Sequence, residues 1–319
     1  MTPPLVSICV PAYDAARHVA EALDSALAQT YPHVEVIVVD DGSTDGTGEI
    51  LRAYEDRGAR VIRQANAGQC AAANRAFRAS RGALVKFFDA DDVLAPDHVA
   101  RQVARLGGGR RHVALGEWAR FYGADPSEAV FRPRRMDRDA GPVEWLADAW
   151  ADARPMMQCA LWLIPRGVLE RSGLWDERLS LINDFEFFAR VVLASDGVRF
   201  APGARLHYRS GLAGSLSGRT SQAAVESAFL SLSLGAGHLL AAEDSPRTRR
   251  AAAAVLQDFV YTYALDHADL AAQAQARADA LGGSDLAPDG PPGFQRLRRV
   301  VGWRLARRVQ RAADALRGR

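Results

Sequence analysis

The sequence predicts an α/β fold in which a Rossmann-like, mostly parallel sheet is flanked by helices and followed by a C-terminal helical extension. Three observations carry this expectation. Runs of strand length (Leu5 to Val10, Val34 to Val39, Arg60 to Arg63, Leu84 to Phe88) alternate with helical patterns through the first hundred residues. The connections between them are short, and strands alternating with helices pair in parallel through right-handed crossovers. From about residue 219 the chain turns alanine-rich and helical.

Composition sets the frame. A chain of 319 residues holds one large α/β domain with an appendage, or two modest domains. It is 48% hydrophobic and 24% charged, with no uninterrupted apolar run of about 18 residues to span a bilayer. The opening Met-Thr-Pro-Pro-Leu-Val-Ser lacks a basic segment and runs into a strand, so no signal peptide is expected. Cys9, Cys70 and Cys159 are odd in number and set in apolar surroundings, which predicts reduced core thiols in a cytoplasmic protein. The net charge of +2 hides an asymmetry: residues 294–319 hold nine arginines and one acid, Asp314, so this segment carries +8 and the rest of the chain −6. An acidic body argues against nucleic acid as a partner.

Each element follows from local pattern. After the first strand, Pro11-Ala12-Tyr13-Asp14 leads into a helix over residues 15–29 with Val19, Ala22, Leu23, Ala26 and Leu27 on one side and Asp14 as its N-cap. The second strand is apolar on both faces except Glu35, as a covered parallel strand requires, and ends in the acidic turn Asp40 to Gly46. Ala67 to Ser80 reads as a helix. The fourth strand runs straight into Asp89, Asp91 and Asp92. Carboxylates so crowded repel one another unless a cation lies among them, and a hard divalent ion is the simplest account. The alternative is an acidic turn capping the helix that Pro96 opens. Ligands of open parallel sheets bind beyond the carboxyl ends of the strands, where Tyr13, Asp40, Asp41 and Asp89 to Asp92 all fall. No Gly-x-Gly-x-x-Gly and no Gly-Lys-Ser/Thr loop is present, so neither a dinucleotide fold nor a P-loop is signalled.

Four segments taken together, Val6 to Asp14, Ser25 to Tyr31, Val36 to Asp45 and Phe87 to Asp92, resemble the successive motifs of family 2 glycosyltransferases, inverting enzymes of the GT-A fold; the resemblance covers roughly residues 5–217. It implies that Pro11, Ala12, Tyr13 and Asp41 meet the base and ribose of a sugar-nucleotide donor. Asn74, Asp89, Ala90, Asp91 and Arg209 complete the donor site. Mg2+ or Mn2+ would be held by Asp91 directly, with Asp89 and His207 as further metal contacts. Two departures stand out. Gly68-Gln69-Cys70-Ala71-Ala72-Ala73-Asn74 has Ala73 where the family's arginine usually stands, and Asn183 replaces the commoner glutamate before Asp184.

Beyond residue 100, Val113 to Glu117 reads as a strand and 123–142 as a loop over the site. Trp118, Trp145, Trp150, Trp162 and Trp175 divide between core and a sugar-stacking acceptor pocket. A helix from about 184 puts Phe187, Phe188 and Val191 inward; Asp184 is then an acid at a helix N-terminus. By resemblance it is the general base, with Glu186 as the substitute. The small-residue loop 211–217 is expected to close over donor phosphate. Ser245-Pro246 starts a further helix.

The chain is thus read as a glycosyltransferase domain over 1–217, with a nucleotide-binding half over 1–100 and an acceptor half over 101–217. A helical extension follows over 218–281, a Pro- and Gly-rich linker over 282–293, and a basic amphipathic helix over 294–319. That last helix either docks on the body or lies on anionic lipid, and the second is preferred. The expected activity is metal-dependent inverting transfer from a nucleoside-diphosphate sugar, UDP- or dTDP-linked, to a hydroxyl of a glycan or lipid-linked acceptor. Bacterial surface polysaccharide, glycolipid or glycan assembly is the expected setting, in the cytoplasm or peripheral on the inner face of the membrane. The alternatives are a nucleotidyltransferase, against which the absence of a basic glycine-rich first loop counts, and a sugar-nucleotide-binding protein without catalysis.

Overall fold

The computed structural model describes residues 3–153, 155–212 and 216–316. The sheet begins as the sequence predicts. Strands β1 (Val6–Ala12), β2 (Val34–Asp40), β3 (Ala59–Arg63) and β4 (Leu84–Phe87) pair in parallel, with β1 between β2 and β4. Helices α1 (Val19–Leu27), α2 (Thr47–Glu55) and α3 (Gln69–Ala79) form the crossovers. β1 and β2 are buried almost end to end, which is why both read as continuous apolar runs.

After β4 the topology changes. A two-residue strand β5 (Val93–Leu94), which the sequence reading lacks, follows the acidic turn at once and precedes α4 (His98–Leu106). β6 (Val113–Tyr122) runs five residues further than the predicted Val113 to Glu117; α5 (Pro142–Trp150), β7 (Trp162–Pro165), α6 (Arg166–Ser172), α7 (Asn183–Leu193) and β8 (Val198–Ser210) follow. The strand order is β3-β2-β1-β4-β7-β6-β8-β5, with β7 antiparallel to both β4 and β6, β8 parallel to β6, and β5 antiparallel to β8. The sheet is therefore mixed beyond β4. The β5–β8 pairing brings residues 205–210 beside the acidic turn.

Helices α8 (Gln222–Ala242), α9 (Pro246–Tyr263) and α10 (Ala268–Ala280) form the C-terminal layer. Ser245 and Thr248 make a reciprocal capping box at the start of α9, with Pro246 in its first turn. The core under the sheet continues without a break into this layer through Val225, Phe229, Val255 and Phe259. Among the described helices α8 is long and apolar enough to cross a membrane, but more than half of it is buried against protein, chiefly α7 and α9. Its composition is that of a core helix.

The basic segment is two helices, not one: α11 (Pro292–Val301) and α12 (Trp303–Leu316). Gly302, at φ +77 and ψ 159, breaks the ladder between them with a backbone that costs other residues energy. Both helices touch the body. Phe294 and Ala306 are buried, Trp303 packs edge-on against Tyr261, and Arg311 pairs with Asp266.

Candidate active site

The carboxyl ends of β1, β2 and β4 form one rim. At the β1 end Tyr13 is 48% exposed, and Asp14 is the first cause that raises its hydroxyl pKa, with Asp41 a further one and Arg219 opposing. Pro11 and Ala12 are the last two residues of β1, Ala12 buried. Asp14 is not the predicted N-cap. Its φ of 44 lies in the left-handed region and its carboxylate accepts from the Thr44 amide, which ties the first loop to the second. At the β2 end Asp41 is buried; its carboxylate accepts from the Gln64 side chain and from the Ala67 and Gly68 amides, and so shapes the loop that enters α3.

The acids after β4 are held by neutral amides. Gln69, in the first turn of α3, donates to Asp89 Oδ1 at 2.9 Å. Gln158, just before β7, donates to Asp89 Oδ2 at 3.1 Å and to Asp92 Oδ2 at 2.7 Å, while its own Oε1 accepts from the Ala160 amide. Asp92 Oδ1 accepts from the Arg209 backbone amide. Ala90 is buried between these acids. Burial raises the pKa of all three acids; mutual repulsion adds to this for Asp91 and Asp92, and Asp91 is pushed up to about 7.

Asp184 joins the same cleft. Burial and then the Asp89 charge hold its carboxyl well above the usual range; the Cys70 and Cys159 thiols are raised first by burial, with the Asp184 charge adding to both. Tyr208 on β8 feels the same charges. After burial itself, the charges of Asp92, Asp89, Asp91 and Asp184 push its hydroxyl upward, so the acids of the turn after β4 and Asp184, more than ninety residues on, act on the same hydroxyl. Ile182 precedes α7 with φ 60, an uncommon conformation for a β-branched residue, and the Ser231 hydroxyl on α8 donates to its carbonyl at 2.6 Å. Asn183 donates to Gln69 Oε1 and Cys70 Sγ, which links the start of α7 to the amide that holds Asp89. Glu186, the substitute base, lies elsewhere: burial would raise it, but hydrogen bonds from His238 and Arg190 hold it below the ordinary range.

Three of the predicted residues have protein partners of their own. Arg209 is buried, and its guanidinium donates to the Asp91 and Gly123 carbonyls and to Glu21, bracing the acidic turn. His207 alternates to the same side of β8 as Arg209; its Nδ1 bonds the Pro126 carbonyl and its ring packs on Phe131, so it does not join the acids. Asn74 uses both ends of its amide on the 173–177 turn, through the Trp175 carbonyl and amide and Glu177. Of the tryptophans, Trp145, Trp150, Trp162 and Trp175 are core. Trp118 alone of the five faces solvent in part, edge-on to Tyr208 at 6.1 Å with the Arg134 guanidinium 3.8 Å over its ring. The predicted phosphate loop lies partly outside the described residues, at 213–215.

Sequence reasoning missed Gln69, Gln158 and Arg219. Gln158 carries no motif signal, and only the fold reveals it. Gln69 lies in Gly68 to Asn74, the segment where the chain departs from the family pattern.

Among the described residues no three His, Cys, Asp or Glu side chains stand grouped as a ready metal cage. The donor chemistry nonetheless fits a hard cation: burial and then the Asp89 charge raise the Asp91 carboxyl, and positive charge beside it opposes both. One or two carboxylates plus phosphate oxygens and water is a common way to hold Mg2+.

A family model described as glycosyl transferase family 2 matches residues 7–170, just over half of the chain. The glycosyltransferase GlyA of Streptococcus pneumoniae is 34% identical over 128 residues, which is 40% of this chain and 18% of that protein, so the chain spans only a small part of that relative. The fold is similar to that of Staphylococcus aureus TarS residues 1–349 in complex with UDP-GlcNAc: TM-score 0.71, 18% identity, covering 97% of this chain and 92% of that one. It is also similar to the mannosyltransferase PcManGT of Pyrobaculum calidifontis in complex with GDP-Man and Mn2+, with TM-score 0.57, 21% identity and coverage of 99% and 81%. With a convergent acid cleft at the strand ends and a matching family model, the chain belongs to glycosyl transferase family 2 and has a GT-A-type fold with a C-terminal helical region.

Proposed function

We propose that this glycosyltransferase inverts the anomeric centre, moving a sugar from a UDP- or dTDP-linked donor to a hydroxyl of a glycan or lipid-linked acceptor in bacterial surface-polysaccharide, glycolipid or glycan assembly. The observation that carries it is the placement of Asp184 at the start of α7, where the adjoining Asn183 bonds the same Gln69 that donates to Asp89; burial and then the Asp89 charge raise the Asp184 carboxyl. Asp184 accepts the proton of the acceptor hydroxyl as its oxygen attacks the anomeric carbon from the face opposite the leaving group, and no covalent sugar–enzyme bond forms.

The exposed ring of Tyr13 stacks on the base; Pro11, Ala12 and Asp41 line the base and ribose pocket. Arg219, placed near Tyr13, supplies positive charge at the donor mouth in the role first assigned to Arg209. Asp91 would hold Mg2+ or Mn2+, which neutralises the leaving diphosphate when bound, and Asp89 orients Asp91's turn through its two amides. Trp118 and Tyr208 offer aromatic faces to the acceptor. Residues 1–217 form the catalytic unit, and the enzyme works in the cytoplasm, peripheral on the inner membrane face.

The test is release of nucleoside diphosphate from a panel of sugar nucleotides with Mn2+ and with a chelator, followed by analysis of the product anomer. Metal-dependent release with inversion is expected. Retained configuration, or release from Asp184→Asn equal to that of the native chain, overturns the reading.

A further inference from the structure

The apolar positions of residues 294–316 read as one stripe in sequence, but the fold divides them between two environments. On α11 Phe294 is buried and Leu297 half-buried against the body. Past the break at Gly302 the phase is lost. At 3.6 residues per turn, Leu305, Val309, Ala312 and Leu316 fall within about 60° of one another on α12. All four are exposed, Leu305 by 50%, Val309 by 49% and Leu316 by 90%; Val300, at the end of α11, is 83% exposed.

The body holds α12 by a different sector, the one carrying Trp303, Ala306, Gln310 and Ala313. A crevice of about 400 Å³, lined by Asp258, Tyr261, Arg307 and Arg311 among others, runs beneath it. Arg304 and Arg308, both exposed, fill a third sector directly beside the apolar stripe. One helix thus presents a docked face, a bare apolar face and a cationic face.

We propose that this bare stripe with its flanking arginines is a docking surface for an anionic bilayer, with α12 lying in the interface plane while its third face stays on the protein. The sequence posed docking and lipid binding as alternatives; the three sectors allow both at once. Charge complementarity selects the occupant, because the stripe alone would suit any apolar partner, and arginines against an acidic body suit a surface of lipid phosphates. A nucleic acid would use the arginines and leave the leucines idle. The surface deepens the peripheral location proposed above and rests on it, but it does not depend on sugar transfer.

The full chain is mixed with phosphatidylcholine vesicles with and without phosphatidylglycerol, and bound protein is separated by flotation. Binding is expected only with the anionic lipid, weakening as salt is raised. Arg304→Gln with Arg308→Gln should reduce partitioning by about 25-fold, roughly fivefold per arginine. Leu305→Ser, Val309→Ser and Leu316→Ser together should reduce it by about tenfold or more. The serine variant leaves the docked face untouched and the glutamine variant removes from it only the Arg304 guanidinium 5.4 Å over the Trp303 ring, so an unchanged melting temperature and unchanged donor hydrolysis separate this surface from the catalytic reading. Equal binding to neutral vesicles, unaltered binding by the serine variant, or capture of an RNA oligomer but no vesicle overturns the proposal. So does a change from dimer to monomer in the serine variant without vesicle binding by the native chain, which would assign the stripe to a second copy.

Discussion

A single buried amide decides how the acids after β4 are arranged. Gln158 gives one hydrogen to Asp89 and the other to Asp92, so two like charges share a neutral donor instead of an arginine. An amide steadies both carboxylates without cancelling their charge, and the attraction for a cation therefore survives. Gln158→Leu should leave two buried carboxylates short of a donor and cost roughly 1–3 kcal/mol of stability, measured by urea unfolding; a loss below about 0.5 kcal/mol would show that Gln158 does not hold them. Asp184 is the second decisive residue. Asp184→Asn should lower turnover by about 10² or more while donor affinity, read by calorimetry, stays within about twofold. Because a base acts as the carboxylate and its pKa is raised, native turnover should climb with pH through that raised value and then level off. A native profile flat through the acidic range would assign the proton to another group. These details were half visible in the chain. Asp184, Asp89 and Asp91 announce themselves by charge and motif. Gln158 does not, because a glutamine between strands reads as an ordinary polar residue until the fold brings it within reach of two acids.

At the scale of elements, the start of α7 is the part most dependent on its neighbours. Ile182 adopts a left-handed conformation that its β-branched side chain disfavours, and Ser231 on α8 holds the carbonyl there. Ser231 Oγ also accepts from the Glu186 amide at 3.3 Å, so one hydroxyl clasps the turn on both sides of Asp184. Ser231→Ala should cost about 1 kcal/mol and reduce turnover with little change in apparent substrate affinity. Ser233, two residues on, has a buried hydroxyl with no partner among the described residues, and Ser233→Ala should be neutral or mildly stabilising. If the two substitutions behaved alike in thermal and kinetic assays, the clasp would have no functional weight. The helical layer is thus part of how the proposed base is aimed, which its alanine-rich, weakly patterned sequence does not reveal. The predicted single helix over 294–319 failed for the opposite reason: its spacing is regular, and one glycine backbone outweighs the pattern.

For the molecule as a whole, the acid cleft sets a pH dependence of stability. Asp91 has a folded pKa of about 7 against an ordinary 3.8, so the folded state binds its proton more tightly than the unfolded chain. Its favourable contribution is complete below the ordinary value and is lost as pH rises through about 4 to about 7. Buried neutral histidines, His98 foremost, work the other way as pH falls, so the native melting curve alone mixes the two. The difference between native and Asp91→Asn chains separates them. In chelator the variant should be the more stable by roughly 4 kcal/mol at about pH 8 and equal at about pH 4. Mn2+ should close the gap at high pH by stabilising only the native chain. A variant less stable than the native chain in chelator at high pH would show that Asp91 bears no such repulsion.

Local chemistry made much of this protein readable in advance. Apolar runs, short connections and acids at strand ends are properties of neighbouring residues, and they suffice for an α/β sheet with a site along its carboxyl rim. The direction of long polar side chains is another matter, because it depends on which partners the fold brings near. β8 commits Arg209 to the Asp91 and Gly123 carbonyls and His207 to the Pro126 carbonyl, the 173–177 turn takes up Asn74, and β5 exists because β8 lies beside it. The same distinction separates the two halves of the basic segment: spacing sets which residues share a stripe, while the backbone at Gly302 and the contacts of Phe294 and Trp303 choose which part of it meets protein and which part meets solvent.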